Sequence, residues 1–294
     1  MRFGAIDIGT NAVRLIIKEV HEFEGSFRSF KICYTRVPIR LGADVFSSGA
    51  ISRTKQNQLL QTLQAFKLLM EVQGVIEYRA CSTSAMREAE NGSEVVQYIR
   101  SESNVNLEIL SGEDEAEALM ANFRTQNLDP EQLYLFIDVG GGSTEFSLIR
   151  NGERILARSF KIGTVRELYG KVDPDEWTRL KEFASKIKQM DEKVIGIGTG
   201  GNINRIYKES GKTQLSNISP QEILKVKHWL LDHSYEERIH KLKLKPDRAD
   251  VIIPAADIYL DSMLFAGVEE MIVPRLGLSD GLILRMFNDM RQSA

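Results

Sequence analysis

The sequence has few of the features that mark secreted, membrane-spanning or redox-active proteins. It contains only two cysteines, Cys33 and Cys81, and their spacing matches neither a metal-binding nor a redox motif. No apolar run reaches the roughly 20 residues that a membrane-spanning helix requires, and the first residues enter a strand pattern with no signal-peptide pattern before it. We therefore expect a protein of the cytoplasm that makes no contact with a membrane.

The chain also lacks an excess of positive charge. The formal net charge of the chain is −3 at pH 7, which argues against a general surface for polyanions, so we expect no binding to nucleic acid. Any phosphate-rich ligand must therefore bind at a local cluster of cationic side chains. Arg36 and Arg40, at the end of a predicted strand, form one candidate cluster, and the basic run 240–248 forms another. For both clusters the alternative is ordinary solvated surface charge.

The most informative stretch is Leu133–Arg150, where two apolar runs flank the segment Asp138-Val139-Gly140-Gly141-Gly142-Ser143-Thr144-Glu145. This pattern predicts a strand, a tight glycine turn and a second strand. Because glycines have no Cβ, the backbone N–H groups of such a turn can converge on an anion, and a neighbouring hydroxyl adds a donor. The phosphate ligands predicted in this turn are Gly140, Gly141, Gly142 and Ser143.

Two carboxylates flank the same turn. Asp138 comes just before it and Glu145 just after it, so the pair could hold a hard cation against the phosphate that the turn binds. We therefore expect Mg²⁺ as the cofactor. The alternative is a glycine hairpin whose carboxylates are merely solvated, but the pattern occurs more than once.

The same pattern opens the chain. Residues 3–17 again show an apolar strand, the segment Asp7-Ile8-Gly9-Thr10-Asn11 and a second apolar strand. Superposing the first aspartate of each pattern also aligns the first turn glycines, at an offset of 131 residues (138 − 7). The repeat predicts two halves that each begin with a phosphate-binding hairpin. The ligands predicted from the first hairpin are Thr10 and Asn11 for phosphate and Asp7 as a further metal ligand.

Two other segments also point to anions. The turn Gly196-Ile197-Gly198-Thr199-Gly200-Gly201 precedes a predicted helix, so free helix N–H groups would face a further anion. The phosphate ligands predicted here are Thr199, Gly200 and Gly201. In the first half, Arg87 follows a hydroxyl-rich strand-to-helix turn, where an anion would meet both a helix N-terminus and a guanidinium group. The alternative is that Arg87 pairs with a nearby carboxylate.

A helix that begins after Ser111 carries three acidic residues in its first turn. Ser111 is the predicted N-cap and Asp114 occupies the capping-box position. At about 100° per residue, Asp114 points away from the buried face of this helix, while Glu113 and Glu115 flank the apolar stripe. Periodicity therefore removes Asp114 as a catalytic candidate but does not choose between the other two glutamates.

Capping patterns predict further helix boundaries. The segments Asp173-Pro174-Asp175-Glu176 and Ser219-Pro220-Gln221-Glu222 each combine an N-cap residue, a proline at the first helical position and a capping-box glutamate. A long apolar helix is predicted over residues 247–266, with a kink at Pro254. Strands and helices alternate along the chain, which is typical of an α/β protein.

Five motifs together resemble the exopolyphosphatase and guanosine pentaphosphate phosphohydrolase family, which belongs to the actin-like, sugar-kinase and heat-shock ATPase superfamily. The motifs occur in that family's order and approximate spacing, and their combination is far more specific than any one of them. They are Asp7-Ile8-Gly9-Thr10-Asn11, residues 82–89, residues 111–116, residues 138–145 and Gly198-Thr199-Gly200-Gly201.

The resemblance implies a fold as well as an activity. It implies two ribonuclease H-like (actin-like ATPase) domains, each a mixed sheet flanked by helices, with the active site in the interdomain cleft. We expect an N-terminal domain over residues 1–121 and a C-terminal domain of the same type over residues 122–294. The resemblance also implies a homodimer.

The implied enzyme is a magnesium-dependent phosphoanhydride hydrolase that releases terminal orthophosphate from inorganic polyphosphate or guanosine pentaphosphate. In the family the glutamate directly before the alanine of the third motif is the general base, which is Glu115 here, and the arginine of the second motif, Arg87, is a phosphate ligand. Ser279 and Asp280 stand where relatives commonly have an arginine and a glutamate.

Two other functions compete with this one. A kinase of the same superfamily would use similar hairpins to hold ATP, and a catalytically weak nucleotide or alarmone sensor would signal by domain closure. Many relatives carry an additional C-terminal helical domain, and this chain ends at Ala294. Together with the acidic net charge, this predicts a preference for short polyphosphates and distributive release. The sequence does not separate polyphosphate from guanosine pentaphosphate as substrate.

Overall fold

The chain forms two α/β units, each built on one five-stranded sheet. The computed structural model describes residues 1–24, 26–122, 128–190, 192–212 and 216–292. The first unit comprises Met1–Asn127 together with Gly277–Ala294, and the second comprises Leu128–Leu276.

The sheet of the first unit begins with a three-stranded antiparallel meander, which two parallel strands then extend. Its strands are β1 (Arg2–Ile8), β2 (Val13–Phe23), β3 (Ser26–Val37), β4 (Glu77–Ser82) and β5 (Leu107–Ile109), in the order β3-β2-β1-β4-β5. The helices between these strands, and after the last of them, are α1 (Leu41–Ser48), α2 (Arg53–Val72), α3 (Ser84–Glu88), α4 (Gly92–Ser103) and α5 (Gly112–Ala121).

The second unit repeats this topology. Its strands are β6 (Leu133–Val139), β7 (Thr144–Arg150), β8 (Glu153–Phe160), β9 (Val194–Thr199) and β10 (Met271–Ile272), in the order β10-β9-β6-β7-β8. Its helices are α6 (Thr164–Leu168), α7 (Pro174–Lys188), α8 (Gly201–Glu209), α9 (Pro220–Leu231), α10 (Tyr235–His240), α11 (Pro246–Ala249) and α12 (Ile252–Ala266). Read from the meander edge, both sheets have the same order and the same pattern of antiparallel and parallel pairs. The predicted α/β class with two mixed sheets flanked by helices is confirmed.

The last helix, α13 (Leu278–Gln292), belongs to the first unit and packs against β1 and α5. Phe287 lies in the core of that unit, with its ring centroid 6.2 Å from that of Phe3. A Cβ on Gly281 would lie 1.7 Å from the carbonyl oxygen of Ala118, so the two helices approach too closely for any side chain there. The structure therefore differs from the predicted division at residue 121, because the apolar face of α13 completes the first core.

The capping patterns located three helix starts correctly. Ser111 caps α5, Asp173 caps α7, and Ser219 caps α9 with both hydrogen bonds of a capping box. The single helix predicted over residues 247–266 is wrong, because the chain forms α11 and α12 there as separate helices. Pro254 lies in the first turn of α12, where its missing N–H removes no helical hydrogen bond. Within the described ranges, no helix combines the length and apolarity needed to cross a bilayer.

Candidate functional site

The glycine turn of the second unit joins β6 to β7. Its carbonyl groups accept hydrogen bonds from the backbone of α6, which fixes the turn. The backbone N–H of Gly140 donates to the carbonyl of Ser143 at 2.9 Å, which closes the turn. At the start of α6, the N–H of Thr164 donates to the carbonyl of Gly140 at 3.0 Å, and the N–H of Val165 donates to the carbonyl of Gly141 at 2.8 Å.

These carbonyl contacts determine where the turn's donors face. In a trans peptide the N–H points opposite to the C=O, so the N–H groups of Gly141 and Gly142 point away from α6. No residue of the described ranges accepts a hydrogen bond from either N–H group. Two donors on one side of a turn are an arrangement that can bind an anion.

Two residues outside the turn allow α6 to approach it. A Cβ on Gly163 would lie 2.4 Å from the carbonyl carbon of Gly142, so no larger residue fits at position 163. Arg166 is buried, and its Nε donates to the carbonyl of Gly142 at 2.8 Å. Neither residue was singled out from the sequence, because both follow β8, at some distance along the chain from the glycine motif.

The carboxylates of Asp138 and Glu145 face each other across this hairpin. The two residues are direct partners in the β6–β7 register, and their nearest carboxylate oxygens lie within 4.8 Å of each other. Ser143 Oγ donates to Glu145 Oε1 at 2.6 Å, and Ser159 Oγ on β8 donates to the same oxygen at 2.9 Å. Like charges directly opposite each other destabilise a hairpin, and a hard divalent cation with oxygen ligands would neutralise them. The donor set therefore fits Mg²⁺.

The third glycine turn lies next to this hairpin, because β9 pairs with β6 and places Thr199 opposite Asp138. Gly200 has φ +106°, a backbone angle that favours glycine, and a Cβ there would lie only 3.2 Å from Asp138 Oδ1. The Thr199 hydroxyl is buried and, within the described ranges, makes no hydrogen bond. A buried hydroxyl without a partner is costly and calls for a ligand or water.

The N-terminus of α8 begins at this turn and has a cation beside it. A Cβ on Gly201 would lie 2.7 Å from Nη2 of Arg248, so the guanidinium group of Arg248 lies against the first residue of the helix. Arg248 thus belongs to the site, whereas Lys241, from the same basic run, pairs with Glu237 at 2.5 Å. Of the basic run 240–248, Arg248 is therefore the residue that the structure places beside this turn.

The hairpin of the first unit has the same turn but a different charge pattern. The N–H of Gly9 donates to the carbonyl of Ala12 at 3.1 Å, and the carbonyl of Thr10 accepts from the N–H of Gly42 at 2.9 Å. The cross-strand partner of Asp7 is Arg14, whose Nη1 donates to Asp7 Oδ2 at 2.5 Å. The charge of Asp7 is thus compensated by an arginine, at the position where the second hairpin has a glutamate.

Glu115 and Arg87 come together within the first unit. Arg87 lies in α3, and its Nη1 donates to the carbonyl of Leu110 at 2.6 Å and lies 3.9 Å from Glu115 Oε2. Glu115 is 9 % exposed, whereas Glu113 is exposed to solvent. Of the two glutamates that periodicity left open, only Glu115 is buried beside a cation.

Of the two positions where the resemblance leads us to expect an arginine and a glutamate, Asp280 makes structural contacts. Asp280 Oδ1 lies 2.5 Å from Nζ of Lys18, and Asp280 Oδ2 accepts from the N–H of Gly277 at 2.8 Å. Ser279 is buried at the start of α13. Asp280 therefore fixes the first turn of α13 against β2 of the same unit.

Two units of the same topology, each opening on an aspartate-bearing hairpin, define a two-domain α/β protein of the actin-like class. Residues 24–290 match the model of the Ppx/GppA phosphatase family, and the chain belongs to that family.

Solved structures support the fold. An Aquifex aeolicus Ppx/GppA family member has a TM-score of 0.76 at 24% identity and covers 99% of this chain and 98% of its own. An exopolyphosphatase from Cytophaga hutchinsonii has a TM-score of 0.83 at 21% identity, covering 98% of each chain.

Curated relatives match over part of their length. Exopolyphosphatase 1 of Mycobacterium tuberculosis H37Rv is 32% identical over 166 residues, which is 56% of this chain and 47% of the relative. A bifunctional 3-dehydroquinate synthase/phosphatase of Fusobacterium nucleatum is 26% identical over 92% of this chain and 44% of its own. The chain therefore spans about half the length of the curated relatives it matches.

Proposed function

We propose that the protein is a magnesium-dependent phosphoanhydride hydrolase that releases terminal orthophosphate from inorganic polyphosphate, from guanosine pentaphosphate, or from both. The observation that carries this proposal is the second-unit hairpin, where two backbone N–H donors and two opposed carboxylates surround one turn. Membership of a phosphatase family supports the same reaction class. An exopolyphosphatase among the curated relatives favours polyphosphate as the first substrate to test.

In the second unit, the proposed phosphate ligands are the N–H groups of Gly141 and Gly142, the buried hydroxyl of Thr199 and the N-terminus of α8. Of the ligands expected from the sequence, we leave out Gly140 and Ser143, because the N–H of Gly140 donates within the turn and the hydroxyl of Ser143 donates to Glu145. Asp138 and Glu145 would hold the metal, and the hydroxyls of Ser143 and Ser159 orient Glu145 for that task. When bound, Mg²⁺ would neutralise charge on the phosphate oxygens. Phosphoryl transfer depends mainly on such positioning and electrostatic stabilisation.

In the first unit, Glu115 is the proposed general base, which orients the attacking water and accepts its proton. Arg87 is the proposed ligand of the phosphate under attack, with Thr10 and Asn11 as further donors. The 3.9 Å separation of Arg87 and Glu115 supports these roles, since one group could bind phosphate while the other meets water. The Asp7–Arg14 ion pair indicates that Asp7 contributes less to metal binding than the other two carboxylates.

A preference for short polyphosphates is part of the proposal. Each additional phosphate strengthens binding only where cationic side chains continue beyond the site. In the basic run 240–248, Nζ of Lys241 lies 2.5 Å from a carboxylate oxygen of Glu237, so an acidic neighbour compensates this cation. We expect a long polymer to gain little from this surface and to dissociate after each cleavage.

The experiment that tests the function measures orthophosphate release from short polyphosphate, long polyphosphate and guanosine pentaphosphate, each with Mg²⁺ and with EDTA. We expect release that requires Mg²⁺ and a ladder of gradually shortening products from the long polymer. Full-length polymer coexisting only with orthophosphate would instead show processive action. Transfer of the ATP γ-phosphate to a sugar, without hydrolysis of any substrate, would replace the proposal with a kinase. Nucleotide binding without turnover would indicate a sensor.

A homodimer is also proposed. β3 is an edge strand of the first sheet, and Phe30, Ile32 and Tyr34 on it are exposed. Apolar side chains on an uncovered edge strand favour association between chains. Sedimentation that finds only a monomer at micromolar concentration would exclude this part of the proposal.

A further inference from the structure

Tyr259 connects the two strands that carry the second-unit site. It lies on α12, and its side chain is fully buried. Its hydroxyl donates to the carbonyl of Thr199 at the end of β9 and accepts from the N–H of Val139 at the end of β6, at 3.3 Å. A phenol has one proton to donate and can accept from another group, and both functions are used here.

The two backbone groups that Tyr259 holds are immediate neighbours of proposed ligands. Val139 follows Asp138, and Thr199 precedes Gly200. Asp138 Oδ1 lies 3.2 Å, and the Tyr259 hydroxyl 3.8 Å, from the point where a Cβ on Gly200 would be placed. The hydroxyl therefore lies where the carboxylate of Asp138 and the turn at Gly200 meet.

The hydroxyl of Tyr259 is a stable donor. Complete burial raises the pKa of Tyr259 well above its usual range, and the neighbouring charge of Asp138 raises it further. A neutral phenol carries the proton that Tyr259 donates to the carbonyl of Thr199.

We infer that Tyr259 is a positioning residue that fixes the carboxylate of Asp138 relative to the phosphate-binding turn at Gly200. This inference rests on the proposed function, because it takes Asp138 as a metal ligand. Tyr259 acts through the backbone of β6 and β9 and is no ligand itself. Without its hydroxyl, the N–H of Val139 and the carbonyl of Thr199 lose a shared partner, and the ends of the two strands can separate.

The test compares Tyr259→Phe with a matched control. Tyr207→Phe also removes the hydroxyl of a fully buried tyrosine in the second unit, because the hydroxyl of Tyr207 donates to the carbonyl of Ser216 at 2.7 Å. Ser216 belongs to neither glycine turn. A general loss of stability should therefore lower the urea midpoint of both variants, whereas a positioning role should change metal binding only in Tyr259→Phe.

Mn²⁺ binding to the full chain, measured by electron paramagnetic resonance of the free ion, reports this role independently of turnover. Replacing a residue that orients a metal ligand typically weakens metal affinity about 10–100-fold, and we expect a loss in that range for Tyr259→Phe and a change of less than about twofold for Tyr207→Phe. Unchanged Mn²⁺ affinity in Tyr259→Phe, equal losses in both variants, or no Mn²⁺ binding by the wild type would overturn the inference. The proposed function can fail separately. If the wild type hydrolyses no phosphoanhydride but Tyr259→Phe alone loses Mn²⁺ affinity, the positioning role stands and the proposed function is rejected.

Discussion

Replacing Glu115 with glutamine is expected to lower the rate of orthophosphate release by about 10²–10⁴-fold, the range that general-base catalysis contributes. Glutamine has nearly the same volume as glutamate but accepts no proton from water. Substrate binding should change little, because the proposed phosphate ligands remain. The measurement is the turnover number at saturating substrate and Mg²⁺, together with the dissociation constant of the substrate.

Glu113→Gln is the matched control for this prediction. Glu113 lies two residues earlier in the first turn of the same helix, and it is exposed, whereas Glu115 is buried beside Arg87. The control should retain nearly full activity. A large loss in Glu113→Gln with near-normal turnover in Glu115→Gln would reverse the assignment.

Asp138→Asn is expected to reduce orthophosphate release by about 10³-fold at Mg²⁺ concentrations that saturate the wild type. A catalytic metal contributes several kcal/mol of charge stabilisation, and each roughly 1.4 kcal/mol changes the rate tenfold. Asparagine keeps the shape of the side chain but removes half of the charge that faces the metal. Mn²⁺ affinity should fall in parallel, and an unchanged urea midpoint would separate loss of the metal from loss of folding.

Asp7→Asn distinguishes the two hairpins. Asp7 occupies the corresponding position in the first unit, but its charge is already compensated by Arg14 at 2.5 Å. Mn²⁺ affinity should therefore fall much less in Asp7→Asn than in Asp138→Asn. Equal losses in the two variants would show that both hairpins hold the metal to the same degree.

The two hairpins could be predicted from the sequence because residues close together along the chain determine each of them. Runs of apolar residues on either side of a glycine turn predict two strands and the turn between them. The repeat offset of 131 residues also aligns Arg14 with Glu145 (145 − 14). Aligning the two hairpins by this offset therefore predicts from the sequence that the first hairpin has an arginine where the second has a glutamate.

Other features depend on contacts between distant parts of the chain. Tyr259 bonds to Val139 across 120 residues, and no local pattern marks it. Gly163 is required only because the backbone of Gly142 lies against it, which spacing along the chain does not reveal. The last helix, α13, joins the first unit because its apolar face completes that core, although it follows the second unit in sequence.

Hydrolysis of polyphosphate in ¹⁸O-labelled water tests the central claim most directly. If water attacks the terminal phosphorus, each released orthophosphate should carry one ¹⁸O atom from the solvent, the shortened polymer should carry none, and release should stop when EDTA removes Mg²⁺. Label at the new end of the polymer would show attack at an internal phosphorus. Transfer of the phosphoryl group to an alcohol, with no labelled orthophosphate, would contradict the account of this protein as a hydrolase.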